Sequence, residues 1–157
     1  MSFAFVFPGQ GSQSVGMMAA YGDAAVVRAT FDEASAALGD DLWAMVADGP
    51  AELLTQTVNT QPVMLTAGIA AWRLWLEKGG KKPAVVAGHS LGEYSALVAA
   101  GVIHFKDAVP LVRLRAAAMQ EAVPVGTGAM AAILGLDTPG IIAACAEAAR
   151  PADKDRL

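Results

Sequence analysis

The chain has 157 residues, 55% of them hydrophobic and 17% charged, with a formal net charge of −4. That length predicts one core-forming domain, and the acidic balance argues against nucleic acid as a partner. A single cysteine, Cys145, excludes an internal disulfide and fits a reducing cytoplasm.

Met1–Phe7 has no basic flank, and Pro8 ends its apolar run too early for a signal peptide. The apolar stretch Val63–Leu76 carries Arg73 and is too short to span a bilayer. So high an apolar fraction predicts that part of the surface is covered by further chain or by a partner.

Phe3–Phe7 reads as a buried strand, stopped by the turn-rich loop Pro8-Gly9-Gln10-Gly11-Ser12-Gln13. Asp23–Leu38 is helical, with Ala24, Val27, Phe31, Ala34 and Leu38 on one face. Pro50–Thr55 predicts a short helix with proline at its first turn. Gln61–Lys78 predicts a long one, stopped by Gly79-Gly80. Ala84–Ala87 is a second strand, followed by helices Leu91–Ala100 and Asp107–Ala122, the latter with Pro110 in its first turn. Gly128–Leu136 predicts a strand and Pro139–Ala149 a helix, and Arg150–Leu157 reads as a charged, frayed tail. Strands alternating with helices predict an α/β fold around a parallel sheet. With so few strands, the sheet is expected to be incomplete and the chain cut short.

The chemistry concentrates at Gly88-His89-Ser90-Leu91-Gly92, between the second strand and a helix. This is a G-x-S-x-G nucleophile elbow in its required context. A tight strand-to-helix turn leaves no room for a Cβ beside the serine, which explains both glycines. Ser90 is the candidate nucleophile, with helix N-terminal N–H groups beside it to receive negative charge. A tetrahedral intermediate needs two N–H donors, one from Leu91 and one from a neighbouring loop. Gln10 is a candidate for the second, against the plainer reading of its loop as a structural turn. That loop is no dinucleotide site, because Ser14 stands where the third glycine would be, and no P-loop, because Met17 replaces the lysine.

Arg115 is predicted at the middle of an apolar helix face formed by Leu111, Val112, Ala118 and Met119, with Arg113 and Gln120 turned to solvent. An unpaired buried guanidinium is costly, so Arg115 should meet an anion. Two readings stay open: an ion pair with an acid of the fold, or a bidentate clamp on a substrate carboxylate. His89 lies in the turn and should point away from Ser90, while His104 caps or fills a loop; neither is a convincing base. Two histidines and one cysteine make no metal-ligand spacing. Arg73, Lys78, Lys81 and Lys82 form a basic cluster, read as solvated charge at a helix end or as a docking patch for an acidic partner.

Phe7-Pro8-Gly9-Gln10-Gly11-Ser12-Gln13, Thr60-Gln61-Pro62, Gly88-His89-Ser90-Leu91-Gly92-Glu93-Tyr94 and Met119-Gln120-Glu121-Ala122-Val123-Pro124, with Arg115 between the last two, resemble the malonyl-CoA:acyl-carrier-protein transacylases of fatty-acid synthesis. The resemblance runs from Phe3 to about Ala149. It implies an α/β-hydrolase-like domain, with residues 1–124 its N-terminal part. Residues 125–149 would be the first strand and helix of an inserted ferredoxin-like subdomain, and 150–157 the tail.

The same resemblance implies that Ser90 takes malonyl from malonyl-CoA as an ester and passes it to the phosphopantetheine thiol of acyl carrier protein. Arg115 would bind the malonyl carboxylate, Gln10 and Leu91 would form the oxyanion hole, and Gln61 would line the site. No metal or resident cofactor is implied. Chains of that family run to about twice this length, and their catalytic histidine falls outside residues 1–157. A serine esterase or thioesterase, or an inactive fragment that needs a complementary C-terminal half, are the alternatives.

Overall fold

The computed structural model describes residues 2–122 and 133–148. Residues 1–124 and 125–157 are two separate compact units.

In the first unit, β1 (Ala4–Phe7) and β2 (Val85–Gly88) pair in parallel, with Ala4 opposite Val85 and Phe7 opposite Gly88. Parallel neighbours need a long crossover, and residues 8–84 provide it as α1 (Ala25–Leu38), α2 (Leu42–Ala47), α3 (Ala51–Leu54) and α4 (Thr57–Glu77). After β2 come α5 (Leu91–Ala99) and α6 (Phe105–Ala122). The unit is therefore rich in helix around a small parallel sheet.

Helix α1 follows its predicted face: Val27, Thr30, Phe31 and Ala34 are buried, and Gly39 ends it at φ 75°. The sequence reading contains no counterpart of α2. Asp41 starts that helix, its carboxylate accepting the Ala44 N–H at 2.9 Å, and Leu42, Met45 and Val46 pin it to the core.

Helix α4 starts at Thr57 rather than Gln61, so Pro62 lies inside it. The cost of that proline is offset by side chains that fasten the opening turns. Asn59 Nδ2 donates to the Leu53 carbonyl at 2.9 Å, and Thr60 Oγ1 to the Leu54 carbonyl at 2.5 Å. From Asn59 to Thr66 every residue of α4 is buried, because α1, α5 and α6 all pack on it. Phe31, Leu42, Leu54, Leu65, Ile69 and Val112 anchor this main cluster. Each such side chain contributes about 1.5–3 kcal/mol on burial. A second cluster, Phe7, Trp72 and Ala96, fastens the inner face of the sheet to α4 and α5. The outer face is bare: Val6 and Val85 are 69% and 59% exposed.

Two expectations about α6 need correction. Its buried stripe is Ala108, Val109, Val112 and Ala116, whereas Leu111 and Met119 are exposed, as is Ala118. Arg115 therefore sits at the edge of the buried stripe and not at the centre of an apolar face. Nor do Arg113 and Gln120 point freely to solvent: both are half-buried, and Arg113 is ion-paired with Asp40. The expected face and the buried one overlap at Val112, and the packing of α4 decides which is covered.

In the second unit, α7 (Thr138–Ala148) occupies the predicted helix. The predicted strand Gly128–Leu136 has no strand at residues 133–136, where Gly135 at φ 83° breaks an extended path. Residues 123–132 and 149–157 lie outside the described residues, and with them the rest of that strand, the expected boundary between residues 124 and 125, and the tail. Among the described residues, no helix is long and apolar enough to cross a membrane.

Candidate active site

Ser90 stands at the end of β2 and immediately before α5, at φ 53° and ψ −110°. Among the described residues it is the one non-glycine with positive φ, a conformation costing about 1–3 kcal/mol that persists only where the surroundings enforce it. The enforcement is steric. A Cβ on Gly88 would strike the backbone of Gly92 and Glu93, and one on Gly92 would strike the Phe7 carbonyl and come within 2.8 Å of the Pro8 carbonyl. Both elbow glycines thus permit β1, β2 and the start of α5 to meet. Backbone cannot swing aside as a side chain can. Gly92→Ala is expected to destabilise the protein by about 3 kcal/mol, the top of the range for overpacking, read as a lower urea midpoint at unchanged m-value.

The strand register also sets two loops side by side. Phe7 pairs with Gly88, so Gln10 and Leu91 each follow their strand end by the same number of residues. Gly9 packs against His89, with only 3.0 Å between its potential Cβ and the His89 carbonyl oxygen. The Gln10 side chain is tied down: Nε2 donates to Thr57 Oγ1 on α4 at 3.1 Å. Among the described residues, neither the Gln10 nor the Leu91 main-chain N–H donates to another backbone group. N–H groups at two adjoining strand ends, in the turns around an exposed serine, are the kind of donors an oxyanion needs.

Arg115 closes the other side. Its Nη2 donates to Ser90 Oγ at 3.0 Å, and its Nη1 to Gln61 Oε1 at 2.7 Å. Gln61 is fully buried, and its Nε2 is occupied by Met119 Sδ at 3.4 Å, so its oxygen must face Arg115. Tyr94 stacks under the guanidinium at 5.7 Å. Arg73 and Arg113 are each paired with an acid, Glu33 and Asp40. Arg115, also half-buried, has no carboxylate among the described residues.

The structure thus joins Ser90, Arg115 and Gln61 in one hydrogen-bonded chain and holds Gln10 and Leu91 at adjoining strand ends. The histidines are elsewhere. His89 lies beside Gly9, and the His104 carbonyl accepts the Asp107 and Ala108 N–H groups at the start of α6. Among the described residues neither bonds to Ser90. Sequence reasoning missed Thr57, Tyr94 and Met119 as members of the site. Helical spacing could have found two of them, since Tyr94 lies four positions after Ser90 and Met119 four after Arg115.

The sequence profile of one family, described as acyl transferase domain, matches residues 4–151. The chain belongs to the acyl transferase domain family. The malonyl CoA-acyl carrier protein transacylase of Salmonella typhimurium is 64% identical over 148 residues, covering 94% of this chain and 48% of that protein. The transacylase of the same name from Bacillus subtilis is 52% identical over 139 residues, 88% of this chain and 44% of the relative. Among solved structures, the acyl-carrier-protein S-malonyltransferase of Burkholderia pseudomallei superposes with a TM-score of 0.87 at 68% identity, over 94% of this chain and 48% of its own. A malonyl-transacylase solved in complex with its type II PKS acyl-carrier protein superposes with a TM-score of 0.89 at 60% identity, over 96% of this chain and 49% of its own. The chain spans about half the length of the curated relatives it matches.

Proposed function

We propose that the protein carrying this chain transfers malonyl from malonyl-CoA to the phosphopantetheine thiol of acyl carrier protein, through an ester on Ser90. The observation that carries the reading is the half-buried Arg115 guanidinium, without an acid among the described residues and 3.0 Å from Ser90 Oγ. A free carboxylate two bonds from the thioester carbonyl would meet that fork while the carbonyl meets the hydroxyl. A serine esterase has no use for such a cation.

In this reading Ser90 Oγ attacks the thioester carbon, forming the C–O bond. The carbonyl oxygen takes the negative charge against the N–H groups of Gln10 and Leu91. Collapse breaks the C–S bond, and CoA leaves as its thiol with the proton taken from Ser90. The carrier thiol then attacks the ester by the reverse sequence. Arg115, steadied by Gln61 Oε1, holds the malonyl carboxylate throughout, and binding it frees Ser90 Oγ from the Nη2 hydrogen bond. The resemblance to the transacylases supports a histidine outside residues 1–157 as the proton shuttle, in keeping with the absence, among the described residues, of a hydrogen bond from His89 or His104 to Ser90. The relatives named for malonyl transfer to acyl carrier protein support this substrate pair.

We further assign the parallel pair to an α/β-hydrolase-like sheet, a reading supported by the strand–elbow–helix order. Its bare outer face, with Val6 and Val85, supports coverage by further chain of the same domain. The lone cysteine supports a cytoplasmic setting.

The test mixes the full-length protein with malonyl-CoA in the absence of carrier protein. A burst of free CoA that matches the enzyme concentration and then stops is expected of an acyl-enzyme awaiting its acceptor. Continuous CoA release would point to a thioesterase, and no release would overturn the proposal.

A further inference from the structure

Arg113 and Arg115 lie two positions apart on α6, and each bonds an amide two positions apart on α4. Arg113 Nη1 donates to Asn59 Oδ1 at 3.3 Å, as Arg115 Nη1 donates to Gln61 Oε1 at 2.7 Å. At about 100° per residue, the two arginines fall on opposite flanks of the Val112–Ala116 stripe that packs on α4. The two amides likewise flank α4. The helix pair is therefore clipped on both sides of its apolar seam. Arg113 also pairs with Asp40, in the turn that follows α1, and Asn59 in turn holds the Leu53 carbonyl.

We propose that Arg113 is a positioning residue that sets the roll of α6 on α4, and through it the aim of Arg115 at Ser90. The inference rests on the malonyl reading above. Stability alone is a weak account of Arg113, because its Nε is buried with no hydrogen-bond partner among the described residues. A part-buried ion pair with an unsatisfied N–H is a poor source of stability, whereas fixing register is the best-attested use of such a pair. An apolar stripe of small residues such as Ala108, Val112 and Ala116 restrains translation better than rotation. Rotation is what would carry Arg115 along the rim of the site, and a displacement of about 1 Å is enough to cost a reaction heavily.

The test compares malonyl-CoA with acetyl-CoA as donors, in the full-length protein with carrier protein as acceptor. Arg113→Met keeps the length of the side chain and removes the fork. It is expected to raise KM for malonyl-CoA and lower the malonyl-over-acetyl ratio of kcat/KM by about tenfold, with acetyl transfer changed by less than about twofold. Arg113→Lys, which retains the charge opposite Asp40, is expected to recover most of that ratio. If Arg113→Met does not yield folded protein, Asp40→Asn is read in the same way, with an expected fall of about threefold. Equal losses on both donors, or an unchanged ratio, would overturn the proposal. Arg115→Ala separates the two claims. A collapse of the ratio in Arg115→Ala with no effect from Arg113→Met removes this inference alone. An unchanged ratio in Arg115→Ala removes the malonyl reading and this inference with it.

Discussion

Ser90→Ala is expected to lower kcat for malonyl transfer by about 10⁴-fold or more and to abolish the burst of free CoA. Ser90 Oγ is the one atom that bonds the acyl group in the proposed cycle, and alanine offers nothing in its place. Residual transfer would come only from substrate binding and from the Gln10 and Leu91 N–H groups, which work without the serine. The fold should tolerate the change. Ser90 adopts φ 53° because β1, β2 and α5 hold the elbow, and alanine meets the same constraint with a similar Cβ. An unaltered melting temperature with lost turnover is therefore the expected pair of results. A Ser90→Ala protein that retained a tenth of the wild-type rate would remove the serine from the mechanism.

Arg115→Ala is expected to cost malonyl transfer about 10²–10³-fold in kcat/KM, corresponding to about 3–4 kcal/mol for a charged, bidentate contact in a partly desolvated site. Acetyl transfer should hold or rise, because acetyl has no carboxylate to lose and Ser90 Oγ is relieved of the Nη2 hydrogen bond. Arg115→Lys should recover only part of the loss, since an ammonium cannot serve Gln61 and a carboxylate with one planar fork. Matching losses for malonyl and acetyl donors would mean that Arg115 braces α6 and does not select the substrate.

Much of the site was legible because its residues are held by local backbone rules. The elbow glycines are required by close approach of Gly88 to Gly92 and of Gly92 to Phe7, and close approach leaves a sequence mark. The strands and α1 announced themselves through apolar runs and spacing. What failed depended on which neighbour covers which face. Helix α2 is too short to show a period, and its signal was the single cap Asp41. The expected start at Gln61 misses the opening turn of α4, because a proline inside a helix needs compensation, and that comes from Asn59 and Thr60 bonding across to α3. On α6 the apolar positions suit two overlapping faces, and only the packing of α4 decides between them. Arg113 and Arg115 looked like one solvated and one central arginine; tertiary contacts place them on the two flanks of the same seam. The ion pair with Asp40 spans 73 positions, far beyond any spacing rule.

The central claim is that Ser90 carries malonyl, and it is tested most directly by peptide mass mapping after the full-length protein is incubated with malonyl-CoA and quenched in acid. A malonyl ester on the peptide containing Gly88–Gly92, fragmented to Ser90 and absent from Ser90→Ala, is the expected result. Malonyl on another residue, with Ser90→Ala labelled to the same extent as the wild type, would contradict it.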